Sequence, residues 1–263
     1  MKIVLTIGGS DPSGGAGIQS DIKTFQSLGM YGVSVVTAIT SQNASNFLDF
    51  VPVERKVIRS QFQSIITGFS LSAAKTGMLG TIEIIEEIAE LLHGCPAFPL
   101  VIDPVMFSGT GARLLDERAL YPLKKFLVPI SSLVTPNLHE AAILSGREVI
   151  NRKQMADAAK AIFDLGAKAV VVKGGHLEDD AVDIFFDGST VVPLTGKRVP
   201  VKNVHGTGCI FSAAAASFLA SGDDLLSSAR NAKKFVLGTI TGSFESGKGA
   251  RLPAHSLGPF SRT

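Results

Sequence analysis

The turn from His205 to Cys209 has the composition of an anion-binding site. Gly206 and Gly208 permit a tight turn on either side of Thr207, and the alanine-rich stretch that follows predicts a helix. Free amides at a helix start, together with the helix dipole, bind negative charge. We therefore predict an anion site here, and we expect the same field to lower the pKa of the Cys209 thiol. On this motif alone, a glycine-rich cap on a packing helix with a buried cysteine is the alternative.

The glycine-rich segment over residues 8–17 does not match the two commonest phosphate loops. The sequence contains no Gly-x-x-x-x-Gly-Lys-Ser/Thr motif, which excludes a P-loop. Pro12 and the glycine spacing do not fit a dinucleotide-binding turn, and no ribose-binding acid occurs near residue 30, so a Rossmann-type oxidoreductase is disfavoured. Asp21 lies about one turn inside the next helix, where it either faces back over this segment or complements the helix dipole.

Polar residues also follow three predicted strands: Asp103, then Asn137 with Glu140, then Lys173. Open α/β sheets bind ligands at the carboxyl ends of their strands, so we expect these residues to lie together. Carboxylates hold Mg²⁺ through waters, a lysine neutralises phosphate oxygens, and helix amides stabilise developing charge. The set predicts phosphoryl transfer, although each cluster alone is also ordinary turn chemistry.

The elements that must position these residues alternate between strand and helix. Apolar runs predict strands over residues 3–7, 33–39, 100–102, 132–135 and 169–173. Apolar stripes of helical period occur between strands, and near-continuous apolar strands are typical of a parallel sheet. Two short runs around Asp187 and Gly188 predict a hairpin. We predict a doubly wound α/β fold with a mostly parallel central sheet, helices on both faces and a small antiparallel edge hairpin.

Length and composition narrow the function classes. The 263 residues contain no internal repeat and no linker, which predicts a single domain over residues 1–263. A net charge of +2, no basic run and no tryptophan argue against nucleic acid as a partner. Cys95 and Cys209 are too few for a disulfide framework or a zinc site, and no segment reads as a signal peptide or membrane span. We expect a soluble, cytoplasmic protein.

The chain resembles the hydroxymethylpyrimidine/phosphomethylpyrimidine kinases of thiamine biosynthesis, in the ribokinase-like superfamily. The matching segments occur in the expected order and span residues 3–245: they are residues 6–19, 41–43, 75–79, 103–106, 135–140, 173–176 and 205–209. The resemblance implies that ATP and Mg²⁺ are used to phosphorylate the 5-hydroxymethyl group of 4-amino-5-hydroxymethyl-2-methylpyrimidine. The monophosphate is then converted to the pyrophosphate. It also implies a homodimer.

The resemblance assigns roles by motif. The pyrimidine pocket would be lined by Gly9, Asp21, Gln42, Met78 and Val105. Mg²⁺ would be held by Asp103 and Glu140, and the nucleotide would be contacted by Asn137, Lys173, Thr207 and Lys233. The catalytic set would be Lys173, Gly206, Gly208 and Cys209. The amide of Gln42 suits an aminopyrimidine edge because it both donates and accepts hydrogen bonds.

The resemblance places Cys209 where most of the wider superfamily has a catalytic aspartate. A thiolate at a helix start could accept the proton of the hydroxymethyl group. The second acceptor is an anionic phosphate, which needs positioning more than a base. We therefore expect Cys209→Ala to harm the first transfer more than the second.

Two departures and two rival functions accompany the resemblance. Phe107 stands where the family usually has a small residue, so it narrows the pocket or seals a flap, and the match is thin beyond Ser246.

A pyridoxal or pyridoxine kinase of the same fold is the closest rival, but Gln42 followed by Asn43 favours the pyrimidine. A non-catalytic nucleotide-binding regulator would be expected to lose groups such as Asp103, and none of them is lost.

Overall fold

A computed structural model describes residues 1–95, 97–175, 181–201, 204–247 and 251–255. Within these residues the central sheet has nine strands, in the order β3-β2-β1-β4-β5-β6-β7-β8-β9. They are β1 (Ile3–Ser10), β2 (Tyr31–Gln42), β3 (Phe47–Pro52), β4 (Ala73–Thr76), β5 (Leu100–Ile102), β6 (Leu133–Val134), β7 (Val170–Val172), β8 (Asp183–Phe186) and β9 (Val191–Leu194). A separate two-stranded sheet pairs β10 (Phe244–Glu245) with β11 (Arg251–Leu252).

The helices form a layer on each face of the sheet. They are α1 (Gly17–Ser27), α2 (Arg55–Gly68), α3 (Ile82–His93), the single turn α4 (Leu120–Pro122), α5 (Leu138–Ser145), α6 (Arg152–Phe163), α7 (Thr207–Ser221) and α8 (Leu225–Thr241). Leu100 and Ile102 join one core with α2, α3, α5 and α6, whereas Val101 between them joins the other with α1, α7 and α8. This alternation follows from the two-residue period of a strand, and it confirms the predicted doubly wound architecture.

Strand directions agree with the predicted mixed sheet. The six strands from β2 through β1, β4, β5 and β6 to β7 are parallel. The strands β8 and β9 add the predicted antiparallel hairpin, which turns at Gly188 with a φ of 91°. No helix in the described part of the chain is long and apolar enough to cross a membrane.

The sequence did not predict the helices α2 and α8, the strands β3 and β4, or the small pair β10 and β11. The four residues of β4 are all buried but read Ala-Ala-Lys-Thr, so no β-branched run marks them. The edge strand β3 is largely exposed and has no clear burial pattern. The helix α2 buries only Ile58 and Phe62, which leaves a weak apolar stripe. Two members of the predicted motifs, His176 and Asn203, lie outside the described residues.

Candidate active site

Two glycine turns, each opening a helix, lie against one another at the carboxyl end of the sheet. Gly206 precedes α7 with a φ of 80°, and Gly17 opens α1 with a φ of 59°. A side chain at Gly206 would overlap the carbonyl oxygen of Gly15. Only glycine satisfies both the backbone angle and this close approach. The starts of α1 and α7 therefore meet, and the predicted tight turn before α7 is present, whereas anion binding at it stays a prediction.

Asp103, Lys173 and Gly208 come together at this point, as predicted. The Lys173 Nζ donates to Asp103 Oδ1 at 3.0 Å, and Ser212 Oγ donates to Asp103 Oδ2 at 3.0 Å. A side chain at Gly208 would begin 3.3 Å from Lys173 Nζ, so the ammonium faces the start of α7. Burial lowers the pKa of Lys173, but the charges of Asp103 and Glu140 outweigh it and raise the pKa above its usual value.

Ser212 is a site residue that the sequence analysis missed. It lies in the second turn of α7, where the carbonyl oxygens of Gly208 and Cys209 are alternative acceptors for its single hydroxyl proton. Its spacing of four from Gly208 was the available signal, because residues four apart share a helix face. Ser212 thus fixes the Asp103 carboxylate relative to the anion turn.

Asn137 and Glu140 form a capping box at the start of α5. The Glu140 amide donates to Asn137 Oδ1 at 2.9 Å, and the Asn137 amide donates to Glu140 Oε2 at 2.8 Å. The other oxygen of Glu140 accepts from the Met106 amide at 3.4 Å. Burial is the main cause that raises the pKa of Glu140 to about 7; the Asp103 charge adds to it and Lys173 opposes it.

Asp103 and Glu140 could share a metal ion, but the described protein side chains do not supply its complete coordination shell. Among the described residues, no group of three or more His, Cys, Asp or Glu side chains can hold a metal ion. Asp103 and Glu140 nevertheless lie close enough for each charge to affect the other. Mg²⁺ is commonly bound by one or two carboxylates, with waters and phosphate oxygens completing its shell. The donor set therefore fits Mg²⁺ that arrives with a nucleotide.

Four of the residues assigned to the pyrimidine pocket lie on neighbouring elements. A side chain at Gly9 would begin 3.1 Å from the Met78 sulfur. Met78 belongs to a small apolar cluster against which Val105 packs. Gln42 ends β2, where it is half-buried beside Phe47. Gly9, Met78 and Val105 thus form one apolar wall, and the Gln42 amide lies at the end of the adjoining strand.

Asp21 points toward the sheet rather than back over the glycine-rich segment. Its Oδ2 accepts from Thr6 Oγ1 at 2.6 Å and from Lys75 Nζ at 2.8 Å, and both Asp21 and Lys75 are only 1% exposed. Within the described structure, Asp21 Oδ1 is buried with no hydrogen-bond partner. Burial raises the pKa of Asp21. Lys75, a lysine within a buried strand motif, was not assigned a role from the sequence.

The predicted lowering of the Cys209 pKa is wrong. Burial raises the pKa of this half-buried thiol to about 11, and the charges of Asp21 and Asp103 add to that effect. Lys75 and the Gly17 amide act in the opposite direction but do not outweigh it. The cost of removing a thiolate from water exceeds what Lys75 and the Gly17 amide return, so Cys209 is a neutral thiol near pH 7.

Lys233 is not brought into this cluster. Its Nζ pairs with Asp183 Oδ2 at 2.8 Å, and both side chains are nearly buried. The other Asp183 oxygen accepts from the Gly174 amide at 2.9 Å. Lys233 therefore supports the backbone next to Lys173. Its predicted contact with the nucleotide stays a prediction, as does that of Thr207, the first residue of α7.

Phe107 holds a short hairpin above the strand ends. Its ring stacks on His139 of α5 with centroids 4.5 Å apart, and the Arg113 guanidinium lies 5.2 Å from its centroid. Residues 107 and 113 also form an antiparallel bridge. The position favours the flap-sealing interpretation of Phe107 over a role in the apolar wall.

Residues 11–254 match the model of the phosphomethylpyrimidine kinase family. The chain belongs to this family. It is 41% identical to the hydroxymethylpyrimidine/phosphomethylpyrimidine kinase of Streptomyces coelicolor, over 94% of this chain and 91% of that protein. It is 43% identical to the enzyme of the same name from Rhizobium meliloti, over 96% of each. The resemblance and the kinase class inferred from the sequence are therefore confirmed.

Solved structures of related kinases share the fold. An ADP complex of Bacillus subtilis pyridoxal kinase is 38% identical, with a TM-score of 0.90 over 98% of each chain. The phosphomethylpyrimidine kinase of Clostridium difficile is 37% identical, with a TM-score of 0.81 over 91% of this chain and 100% of that one. The predicted ribokinase-like fold is thus confirmed, and both kinases considered from the sequence occur among its structural neighbours.

Proposed function

We propose that this chain transfers the γ-phosphoryl group of ATP to the 5-hydroxymethyl group of 4-amino-5-hydroxymethyl-2-methylpyrimidine, and then to the resulting monophosphate. One observation carries the proposal: the Lys173 ammonium faces the start of α7 while it is held by the Asp103 carboxylate. A cation in front of convergent amides is suited to a transferring phosphoryl group. The names of the curated relatives and the ADP complex of a related kinase support the choice of acceptor and donor.

Lys173 would release Asp103 and bind a phosphate oxygen when the nucleotide enters. Its side chain is 14% exposed, so the ammonium is reachable from solvent. The amides from Gly206 to Cys209 would stabilise charge that develops on the phosphoryl oxygens. Asp103 and Glu140 would hold Mg²⁺, which neutralises phosphate charge when bound. Asn137 fixes Glu140 through the capping box, so the carboxylate is already oriented.

Cys209 lies at the transfer point as a neutral thiol, which limits it as a base. The first acceptor loses a hydroxyl proton during attack, whereas the second acceptor is already an anion. A thiol with a pKa of about 11 provides little thiolate near neutral pH. Cys209 can therefore assist the first transfer in two ways. The small thiolate fraction can accept the hydroxyl proton, and the backbone amide of Cys209 can stabilise charge on the phosphoryl group.

Pyridoxal is the second candidate acceptor. The observation that favours it is the TM-score of 0.90 to structures of pyridoxal kinases. The Gln42 amide at the end of β2 favours the pyrimidine, because it can both donate to and accept from an aminopyrimidine edge. Pyridoxal has no amino group beside a ring nitrogen, and its donor and acceptor are instead a ring hydroxyl and an aldehyde.

An ATP-consumption assay with three acceptors tests the function. The acceptors are hydroxymethylpyrimidine, its monophosphate and pyridoxal, each measured with and without Mg²⁺. We expect turnover of both pyrimidines, little turnover of pyridoxal, and loss of all turnover without the metal. Turnover of pyridoxal alone would overturn the acceptor while leaving the kinase assignment intact.

We also propose that the chain acts as a homodimer in the cytoplasm. The sheet edge formed by β2 and β3 exposes three apolar side chains, Ile39, Leu48 and Val51, at 61%, 80% and 66%. Exposed apolar edges of this kind favour a partner, because an open edge strand is otherwise prone to aggregate. Both cysteines are free, which fits a reducing compartment. Light scattering on a sizing column would show a mass of two chains, and Val51→Lys would reduce it to one.

A further inference from the structure

Asp11 joins the two glycine turns through one buried carboxylate. It accepts from the Ser13 amide at 2.9 Å, the Ser13 hydroxyl at 2.9 Å and the Ala16 amide at 2.8 Å, all on the first turn. It also bonds His205 Nε2 on the second turn at 3.0 Å. Asp11 is 1% exposed and the His205 side chain is 11% exposed. One carboxylate therefore ties together turns that lie 194 residues apart in the chain.

The hydrogen bonds define the state of both partners. Burial raises the pKa of Asp11, but the bonds from His205, Ser13 and Ala16 outweigh it and hold the pKa below its usual value. The carboxylate is therefore an anion that accepts from every neighbour, and His205 Nε2 is the donor. The other ring nitrogen, Nδ1, faces the hairpin above the strand ends, 3.7 Å from where a side chain at Gly109 would begin.

Close packing makes the position of the second turn depend on this bond. A side chain at Gly15 would begin 2.6 Å from the His205 ring, and one at Gly206 would overlap the Gly15 carbonyl. The ring thus packs closely against the first turn, and His205 is followed by Gly206, the residue that precedes α7. The His205 amide also donates to the Arg251 carbonyl at 3.1 Å, which holds its backbone from the other side.

We propose that Asp11 and His205 are a positioning pair that fixes the anion turn, Gly206 to Cys209, for both phosphoryl transfers. The proposal rests on the proposed kinase function. Neither side chain needs to touch the acceptor, since the effect passes through the backbone amides that follow His205. Amides stabilise a transition state most when they are already aimed at the developing charge, so loosening the turn lowers kcat. Most of the pocket assigned to the pyrimidine lies on β1, on β2 and on the segments that follow β4 and β5, so KM for the acceptor is expected to stay nearly constant.

The test compares His205→Ala with His205→Gln. Glutamine keeps an N–H donor at about the reach of Nε2 but has no basic nitrogen at pH 7. We expect His205→Ala to lower kcat for both transfers on the order of 10²-fold, the cost typical of a misplaced catalytic group. We expect His205→Gln to restore most of that loss for both acceptors. His93→Ala, at the far end of α3, is the matched histidine control and should leave both rates unchanged.

The alternatives predict different patterns. If His205 instead acts as a general base through Nδ1, His205→Gln is as poor as His205→Ala and only the alcohol is affected, which would overturn the positioning role. If the pair only stabilises the fold, both variants lower the melting temperature and leave kcat unchanged, which would also overturn it. Asp11→Asn provides a second route, because an amide cannot accept from all four donors: it should reproduce the kcat loss of His205→Ala. A wild-type protein that uses none of the three acceptors would refute the kinase function rather than the positioning pair.

Discussion

Two ion pairs of the same chemistry lie below the anion turn, and they differ in their access to water. Asp21 and Lys75 are 1% exposed each, and their charged atoms are 2.8 Å apart. Asp103 and Lys173 are 3% and 14% exposed at 3.0 Å. A lysine that solvent reaches can exchange its carboxylate for a phosphate, whereas a sealed one cannot. We infer that the sealed pair supports the site from below and that the open pair takes part in its chemistry.

The sealed pair is held by mutual charge rather than by favourable burial. Burial lowers the pKa of Lys75, but the charges of Asp21 and Asp103 raise it above the usual lysine value. Two charges removed from water recover their desolvation cost only through each other. Removing one of them therefore costs far more than the pair contributes when intact.

The largest expected effect is on stability, from Lys75→Met. Loss of the ammonium leaves Asp21 buried and unpaired, which destabilises the fold by about 3–5 kcal/mol. Lys75→Met combined with Asp21→Asn removes both charges and should restore most of that loss. Urea unfolding of the two variants measures the difference, with the exposed Lys153→Met as control. Equal stability of the single and double variants would show that the pair is not a coupled unit.

Lys173→Met should have the opposite profile, with a large effect on rate and a smaller one on stability. Ser212 continues to hold Asp103, and water reaches the vacated position, so less desolvation is left uncompensated. We expect kcat for both transfers to fall about 10²- to 10³-fold, as for other groups that stabilise transition-state charge. Steady-state kinetics and urea unfolding on the same preparation test this. A variant that loses as much stability as Lys75→Met while retaining kcat would reverse the assignment of the two pairs.

The difference between the pairs also explains what the sequence could predict. An apolar strand precedes each of Asp103, Glu140 and Lys173. The positions of the strand ends were therefore enough to predict that these three residues lie together. The β4 strand contains no run of β-branched or large apolar residues, so Lys75 had no apolar run to mark its burial. Ser212 was hidden inside a helix, where a serine is unremarkable. The open pair lies 70 residues apart in the chain and the sealed pair 54, so sequence separation does not distinguish them. Strand ends marked both members of the open pair, whereas no strand-end pattern marked Lys75.

The pKa of Cys209 was missed for a related reason. The helix start is visible in the sequence, but the desolvation that outweighs it is a property of packing. The thiol is buried, and two carboxylates lie near it: Asp21 from α1 and Asp103 from the end of β5. No local motif records that convergence. The same limit applies to the bond between Asp11 and His205, since neither residue's neighbours in sequence indicate the other.

The smallest effect expected is on the pH dependence of Cys209, which interacts with both ion pairs. Its pKa of about 11 means that the thiolate fraction rises with pH throughout the neutral and mildly alkaline range. If thiolate accepts the hydroxyl proton, the first transfer should accelerate by up to about tenfold per pH unit between pH 7 and 9, and the second should not. The ratio of the two rates cancels titrations that affect both transfers, such as that of Glu140.

Cys209→Ala should slow the first transfer more than the second and remove the slope of the ratio. Two results would contradict this role: a ratio of the two rates that does not change with pH in the wild type, or equal losses of both rates in Cys209→Ala. Either result would show that the thiol is not the base, and only the backbone amide of Cys209 would then contribute to transfer.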